Sequence, residues 1–151
     1  MDQHQIFGFL LHDVTRLYKR RFEQRSAQLS LTLPQCKTLS LLARNEGISQ
    51  RQLADLADID AMSIVRILDR MEADGWVERR ADPQDRRARC LAVTAKARPL
   101  LEQILEMGAA TRAEVLAGLD VQQRDQLVSM LERCQLNLQA LKPLIAQESH
   151  S

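Results

Sequence analysis

Apolar residues recur at helical spacing from the start of the chain. Ile6, Phe9, Leu10, Val14, Leu17, Tyr18 and Phe22 predict a helix over 5–29. Phe7 and Leu11 widen its apolar face until the first half is apolar almost all round. A face too wide for one small core often supplies a partner interface. A second helix follows Thr32, a candidate cap. Pro34 suits its first turn, Cys36, Leu39, Leu41 and Leu42 point to a core, and Gly47 ends it. A short helix begins at Ser49 and turns Leu53, Leu56 and Ala57 inward. Asp60 then caps a helix that Gly75 closes. At 100° per residue, Ile64, Val65, Leu68 and Met71 share its buried face, while Met62, Ser63, Arg66, Asp69, Arg70 and Ala73 lie opposite.

The period then changes. "WVERR" and "RCLAV" read as two short strands around "ADPQD", whose Asp-Pro favours a turn. This predicts a hairpin with its tip near 82–87. Thr94 is the expected cap of a long helix over 95–117, apolar at Leu100, Leu101, Ile104, Leu105 and Met107, with a bend near Pro99. Asp120 and Gln123 form a capping-box pattern ahead of a last helix over 121–142. Its apolar positions include Leu127, Val128, Leu131, Leu138 and Leu141. The final residues are expected to fray.

Composition agrees with a helical reading. The 151 residues suit one domain, and only five Gly and four Pro interrupt them. Net charge is only +1, but its distribution is uneven. Residues 66–98 hold nine Lys/Arg against six Asp/Glu, whereas residues 99–151 hold four against seven. A local basic patch bears on polyanion binding more than the mean does. The stretch "ERRADPQDRRAR", residues 78–89, crowds five arginines onto the hairpin. Either Glu78, Asp82 and Asp85 neutralise them, or an outside anion does.

Two consecutive helices, a tight turn, a helix with an Arg-bearing exposed face and an Arg-tipped hairpin are the order of a winged helix-turn-helix. The predicted fold is mainly α with a small β-hairpin wing. An α-helix fits the major groove of B-DNA, where Arg66 is placed to donate a bidentate pair to guanine. Ala61 and Met62 suit thymine methyls, and Ser63 suits a base or phosphate. Arg70, one turn on, suits the backbone. Ser49, Gln50 and Arg51, opening the preceding helix, are candidates for further phosphate contacts. An arginine on an extended hairpin suits the narrow minor groove, with Asp85, Arg86 and Arg87 as candidates. Asp82 and Asp85 are expected to hold some of the arginines by charge-assisted bonds.

The segment "SQRQLADLADIDAMSIVRILDRMEADGWVERRADPQDRRARCLAVTAKARPLL" resembles the centre of the MarR family of bacterial transcription regulators. "IVRILDRMEADGWVERR", "DRRAR" and "TAKARPLL" place it nearer the SlyA-like branch. The resemblance runs over about residues 30–105, and its most specific part is the D-x-R element, Asp85 and Arg87. It implies one domain over 1–151, with a DNA-binding lobe over about 32–93 and dimerisation helices over about 5–29 and 95–145. It also implies a homodimer on a palindromic operator with half-sites ~34 Å apart. Matched by motif position, Arg66 reads the major groove and Arg87 the minor groove. Arg86 braces the wing through Asp69 or Asp82. The family also takes small anionic aromatic compounds between dimer helices and DNA-binding lobe. By that analogy Phe9, His12, Arg16 and Cys36 are pocket candidates. Some members sense oxidants through a cysteine near the start of the first helix; this sequence has none there.

Other classes find little support. There is no G-x-S-x-G, Gly-rich phosphate loop, H-E-x-x-H or Cys/His constellation, so an enzyme is not expected. Cys36, Cys90 and Cys134 lack metal-ligand spacing, so neither a metal nor a cofactor is expected, and they read as free thiols. No apolar run approaches the ~20 residues of a membrane span, and the N-terminus lacks a basic n-region and a cleavage site. The expected location is the cytoplasm. A protein-interaction module on the same fold would have lost the groove-facing arginines, and Arg66, Arg70, Arg86 and Arg87 are present.

Overall fold

A computed structural model of the chain describes residues 2–144. These divide into two units, one ending at Val115 and one starting at Leu116. The first unit opens with helix α1, Phe7–Ser26, followed by a 3-10 turn over Ala27–Leu29. That shortens the helix predicted over 5–29, and Ser30 ends the turn in a left-handed conformation. Along α1 only Phe22 and Ser26 are buried. Phe7, Phe9, Leu10, Leu11, Val14 and Leu17 are all exposed, as the over-wide apolar face implied.

Helix α2, Leu33–Arg44, starts at a full capping box. The Thr32 hydroxyl accepts from the Gln35 amide, and the Gln35 side chain accepts from the Thr32 amide. Pro34 sits in the first turn, where its missing N–H has no ladder partner to lose. Helix α3, Gln50–Ala57, begins with a second capping box, Ser49 with Gln52. It buries Leu53, Ala54 and Ala57. Leu56, expected inside, is 51% exposed. It falls at the edge of the apolar arc, and nothing covers that edge in this unit. Helix α4, Ala61–Ala73, is capped by the Asp60 carboxylate, which accepts from the amides of Met62 and Ser63.

Two strands follow, β1 over Val77–Ala81 and β2 over Arg89–Val93, paired antiparallel with Val77 opposite Val93. The hairpin is the one predicted. Its base is tied to the helices through the main chain. The Leu91 amide donates to the Ile48 carbonyl, and the Gly47 amide donates to the Leu91 carbonyl. Helix α5, Arg98–Val115, is entered through a 3-10 turn over Ala95–Ala97. Here one expectation fails. The Thr94 hydroxyl does not cap that turn; it donates to the Gly75 carbonyl at 2.6 Å. Pro99 lies in the first turn of α5, near its start as expected. Leu105, one of its apolar positions, is exposed.

The core of this unit joins α2, α3, α4 and the hairpin. Leu39, Leu42, Leu53, Ile64, Leu68, Met71, Val77 and Leu91 meet there, and Phe22 and Ile104 close it from α1 and α5. α1 and α5 are also clasped at the surface, where Arg21 and Arg25 both pair with Glu114. The two guanidiniums hold the Glu114 carboxyl down to about 2, Arg21 contributing most.

The second unit carries helix α6, Val121–Gln139, three residues shorter than predicted. The Asp120–Gln123 capping box is present. Within this unit no side chain of α6 is buried, and Val121, Val128, Met130, Leu131, Leu136 and Leu138 are exposed. The expected fraying of the last residues concerns positions 145–151, outside the described residues.

Candidate nucleic-acid interface

α4 turns its apolar stripe inward through Ile64, Leu68 and Met71. Ile67 packs against the same core, while Val65, predicted to share it, is 37% exposed. The buried arc is therefore rotated slightly from the predicted one. The opposite side carries Ala61, Met62, Arg66, Asp69, Arg70 and Ala73, all exposed. Met62 is 71% exposed, a large apolar side chain in water with no neighbour to cover it.

The Asp60 cap also fixes the start of this face. The Ser63 hydroxyl donates to Asp60 Oδ2 at 2.6 Å, and this bond, followed by that from the Ser63 amide, holds the Asp60 carboxyl below its ordinary range. Ser63 is thus engaged in ordering the first turn. Ser49 is likewise engaged as a cap, and the Gln50 side-chain oxygen accepts from Arg79. Arg51 is exposed and has no ion-pair partner among the described residues. Arg70 Nε donates to Asp74 at 3.2 Å, one turn further along α4. Arg66 makes no ion pair among the described residues.

The hairpin divides the five arginines of residues 78–89. Arg80 pairs with Glu78 on its own strand. Arg79 reaches Asp69 at 2.8 Å and Glu72 at 3.2 Å on α4. Arg86, Arg87 and Arg89 are exposed and have no ion-pair partner among the described residues. The brace assigned to Arg86 through Asp69 or Asp82 is therefore made by Arg79. Asp82 and Asp85 do not hold arginines either. Asp82 accepts from the Gln84 amide at 2.8 Å, and Asp85 accepts from the Arg87 amide at 3.0 Å. The aspartates order the loop backbone, which leaves the exposed guanidiniums of Arg86 and Arg87 without a carboxylate.

Sequence reasoning missed Arg79, although strand alternation carries the signal. Val77 is buried, and side chains two apart share a face of a strand, so Arg79 faces the helices.

The four residues expected around a small ligand are not brought together. Cys36 lines a cleft of about 220 Å³ with Tyr18, Phe22, Lys37, Arg44 and Arg112. Phe9, His12 and Arg16 lie on the exposed first half of α1, with Arg16 paired to Asp13. Burial pushes the Cys36 thiol up to about 11. No group of three or more His, Cys, Asp or Glu side chains suited to a metal occurs among the described residues, and none of their helices is long and apolar enough to cross a membrane.

Capped helices α2, α3 and α4, with a hairpin hydrogen-bonded back to the segment before α3, define a winged helix-turn-helix protein. Comparison with known proteins agrees. The MarR family model matches residues 31–88. The transcriptional regulator PA3341 is 32% identical, with 89% of this chain and 99% of that one covered and a TM-score of 0.82. MarR from E. coli in its apo form is 26% identical over 85% of this chain and 95% of its own, with a TM-score of 0.73. The transcriptional regulator SlyA is 24% identical over 91% of this chain and 94% of its own, with a TM-score of 0.76, which shows a shared fold. The chain belongs to the MarR family.

Proposed function

We propose that this protein is a transcriptional regulator that binds double-stranded DNA as a homodimer on a palindromic operator. The observation that carries the reading is the pair of unpartnered arginine surfaces on one lobe, Arg66 on α4 and Arg86 and Arg87 on the hairpin loop. Arg66 reads base edges in the major groove, with Ala61 and Met62 against thymine methyls. Arg70, Arg51, Gln50 and the first turns at Ser49 and Ser63 meet phosphates. Arg87, its amide held by Asp85, enters the minor groove, with Arg86 beside it. The lobe spans about 32–93. The exposed apolar faces of α1, α5 and α6 supply the dimer seam, since patches of this kind mark interaction surfaces. A small anionic aromatic compound modulates binding. The cleft beside Cys36 suits such a ligand, because Arg44 and Arg112 line it together with the apolar Phe22, Leu33 and Ile104. The protein acts in the cytoplasm by occluding promoters, and "DRRAR" and "TAKARPLL" align it with the SlyA-like branch.

Fluorescence anisotropy with labelled promoter duplexes across a salt series tests this reading, with sedimentation at micromolar concentration beside it. A dimer whose affinity falls steeply as salt rises is expected, because each neutralised phosphate contributes a slope of about −0.9 in log K against log salt. A monomer would remove the palindrome, and indifference to every duplex at low salt would remove DNA.

A further inference from the structure

Three side chains on two helices converge on one guanidinium in the hairpin. Arg79 Nη2 donates to Asp69 Oδ1 at 2.8 Å and to Gln50 Oε1 at 3.3 Å, and Nη1 faces Glu72 Oε1 at 3.2 Å. Its side chain is only 16% exposed, while those of Asp69 and Glu72 are 62% and 46% exposed. Arg79 thus fills the angle between α3, α4 and β1. It is also the last side chain of β1 that reaches a helix. Arg80 bonds back to Glu78, and Ala81 is exposed. On β2 the last link is the bridge between Ser49 and Cys90.

We infer that Arg79 is the positioning residue that sets the wing against α4, so that Arg66 and Arg87 meet one duplex together. The inference rests on the DNA reading above. A planar guanidinium has donors on separate nitrogens and can hold two carboxylates and an amide in one geometry, which fixes an angle; an ammonium is a point charge and does not. Arg79 also acts electrostatically. Asp69 lies on the exposed side of α4 between Arg66 and Arg70, where a bare carboxylate would repel phosphate. Pairing with Arg79 neutralises it. Arg79 therefore keeps α4 acceptable to a polyanion while aiming the hairpin, without touching DNA itself.

The test is a coupling experiment in DNA binding by the full-length protein. Affinities for a promoter duplex are measured for wild type, Arg66→Ala, Arg87→Ala, Arg79→Met and the two double variants with Arg79→Met. In the wild-type background Arg87→Ala is expected to weaken binding by about fivefold or more. In the Arg79→Met background the same change should matter less than about twofold, because the wing is no longer aimed, while Arg66→Ala keeps its full factor. A general loss of folding would shrink neither factor selectively. Should Arg79→Met fail to fold by circular dichroism, Asp69→Ala/Glu72→Ala/Gln50→Ala removes the same brace from its exposed end and decides alone. An Arg87→Ala factor unchanged in the braceless background overturns the positioning role and leaves the DNA reading standing. Wild-type protein that ignores every duplex overturns both.

Discussion

Leu68→Ala tests the orientation of α4, on which the reading face depends. Leu68 is 0% exposed and lies in the core with Leu39, Leu42, Leu53 and Leu91. The change removes three carbons, which at ~0.8 kcal/mol each is about 2.4 kcal/mol of transfer free energy. Unfilled space adds about 1 kcal/mol for every ~40 Å³ that the neighbours do not close. A loss of about 3–4 kcal/mol follows, within the range seen for buried Leu→Ala changes. For a chain of this length it lowers the melting temperature by about 10 °C, compared at one protein concentration because a dimer's melting depends on it. Val65→Ala is the control. Val65 is 37% exposed and the change removes only two carbons, so it should cost less than about 1 kcal/mol. Urea unfolding followed by circular dichroism reads both. Well below the melting temperature, Leu68→Ala should bind duplex within about twofold of wild type, since the exposed face is intact. Equal destabilisation by the two substitutions would show that α4 is rotated from the orientation described, and Arg66 and Arg70 with it.

Three further outcomes follow from particular contacts. Glu114 is held to about 2 in the folded protein against an ordinary 4.5, so its contribution is present above pH 4.5 and is lost as pH falls toward 2. Urea midpoints of wild type should drop more steeply across that window than those of Glu114→Gln. Gly75 has φ +80 and a Lys96 side-chain carbon 3.4 Å from where a Cβ would stand, so Gly75→Ala should cost about 1–2 kcal/mol in denaturant unfolding. Gly75→Asn should cost less, and the reverse order would contradict the backbone argument. Cys36 is buried with its thiol pushed up to about 11, so in Cys90→Ala/Cys134→Ala protein Ellman's reagent should label nothing at neutral pH until urea is added; prompt labelling would contradict its burial.

The parts legible in the sequence are those governed by near neighbours. Thr32, Asp60 and Asp120 cap helices because the amides they bond lie two or three residues away. Alternation around "ADPQD" was enough to place both strands. Several of the misses have non-local causes. Leu56 and Val65 sit at the margins of their apolar arcs, and helical periodicity does not say which margin a neighbouring element covers. Thr94 has the local signature of a cap, yet the Gly75 carbonyl, 19 residues earlier, takes its hydroxyl. Asp82 and Asp85 find backbone amides within their own turn, nearer than any guanidinium, so charge complementarity along the sequence was a poor guide to pairing. Arg79 rather than Arg86 braces the hairpin because strand alternation turns it toward α4. The pocket candidates on α1 were carried by resemblance alone, and in this chain only Cys36 reaches the cleft.

The account stands or falls on whether the two arginine surfaces read DNA. The most direct measurement compares a genomic-promoter duplex with a scrambled one, across a salt series, for wild type, Arg66→Ala and Arg87→Ala. The account predicts salt-steep, sequence-selective binding by wild type. Arg66→Ala should lose about 1–3 kcal/mol of affinity together with preference at one base position, and Arg87→Ala should be weakened as well. Binding that treats both duplexes alike, or that neither substitution alters, would contradict it.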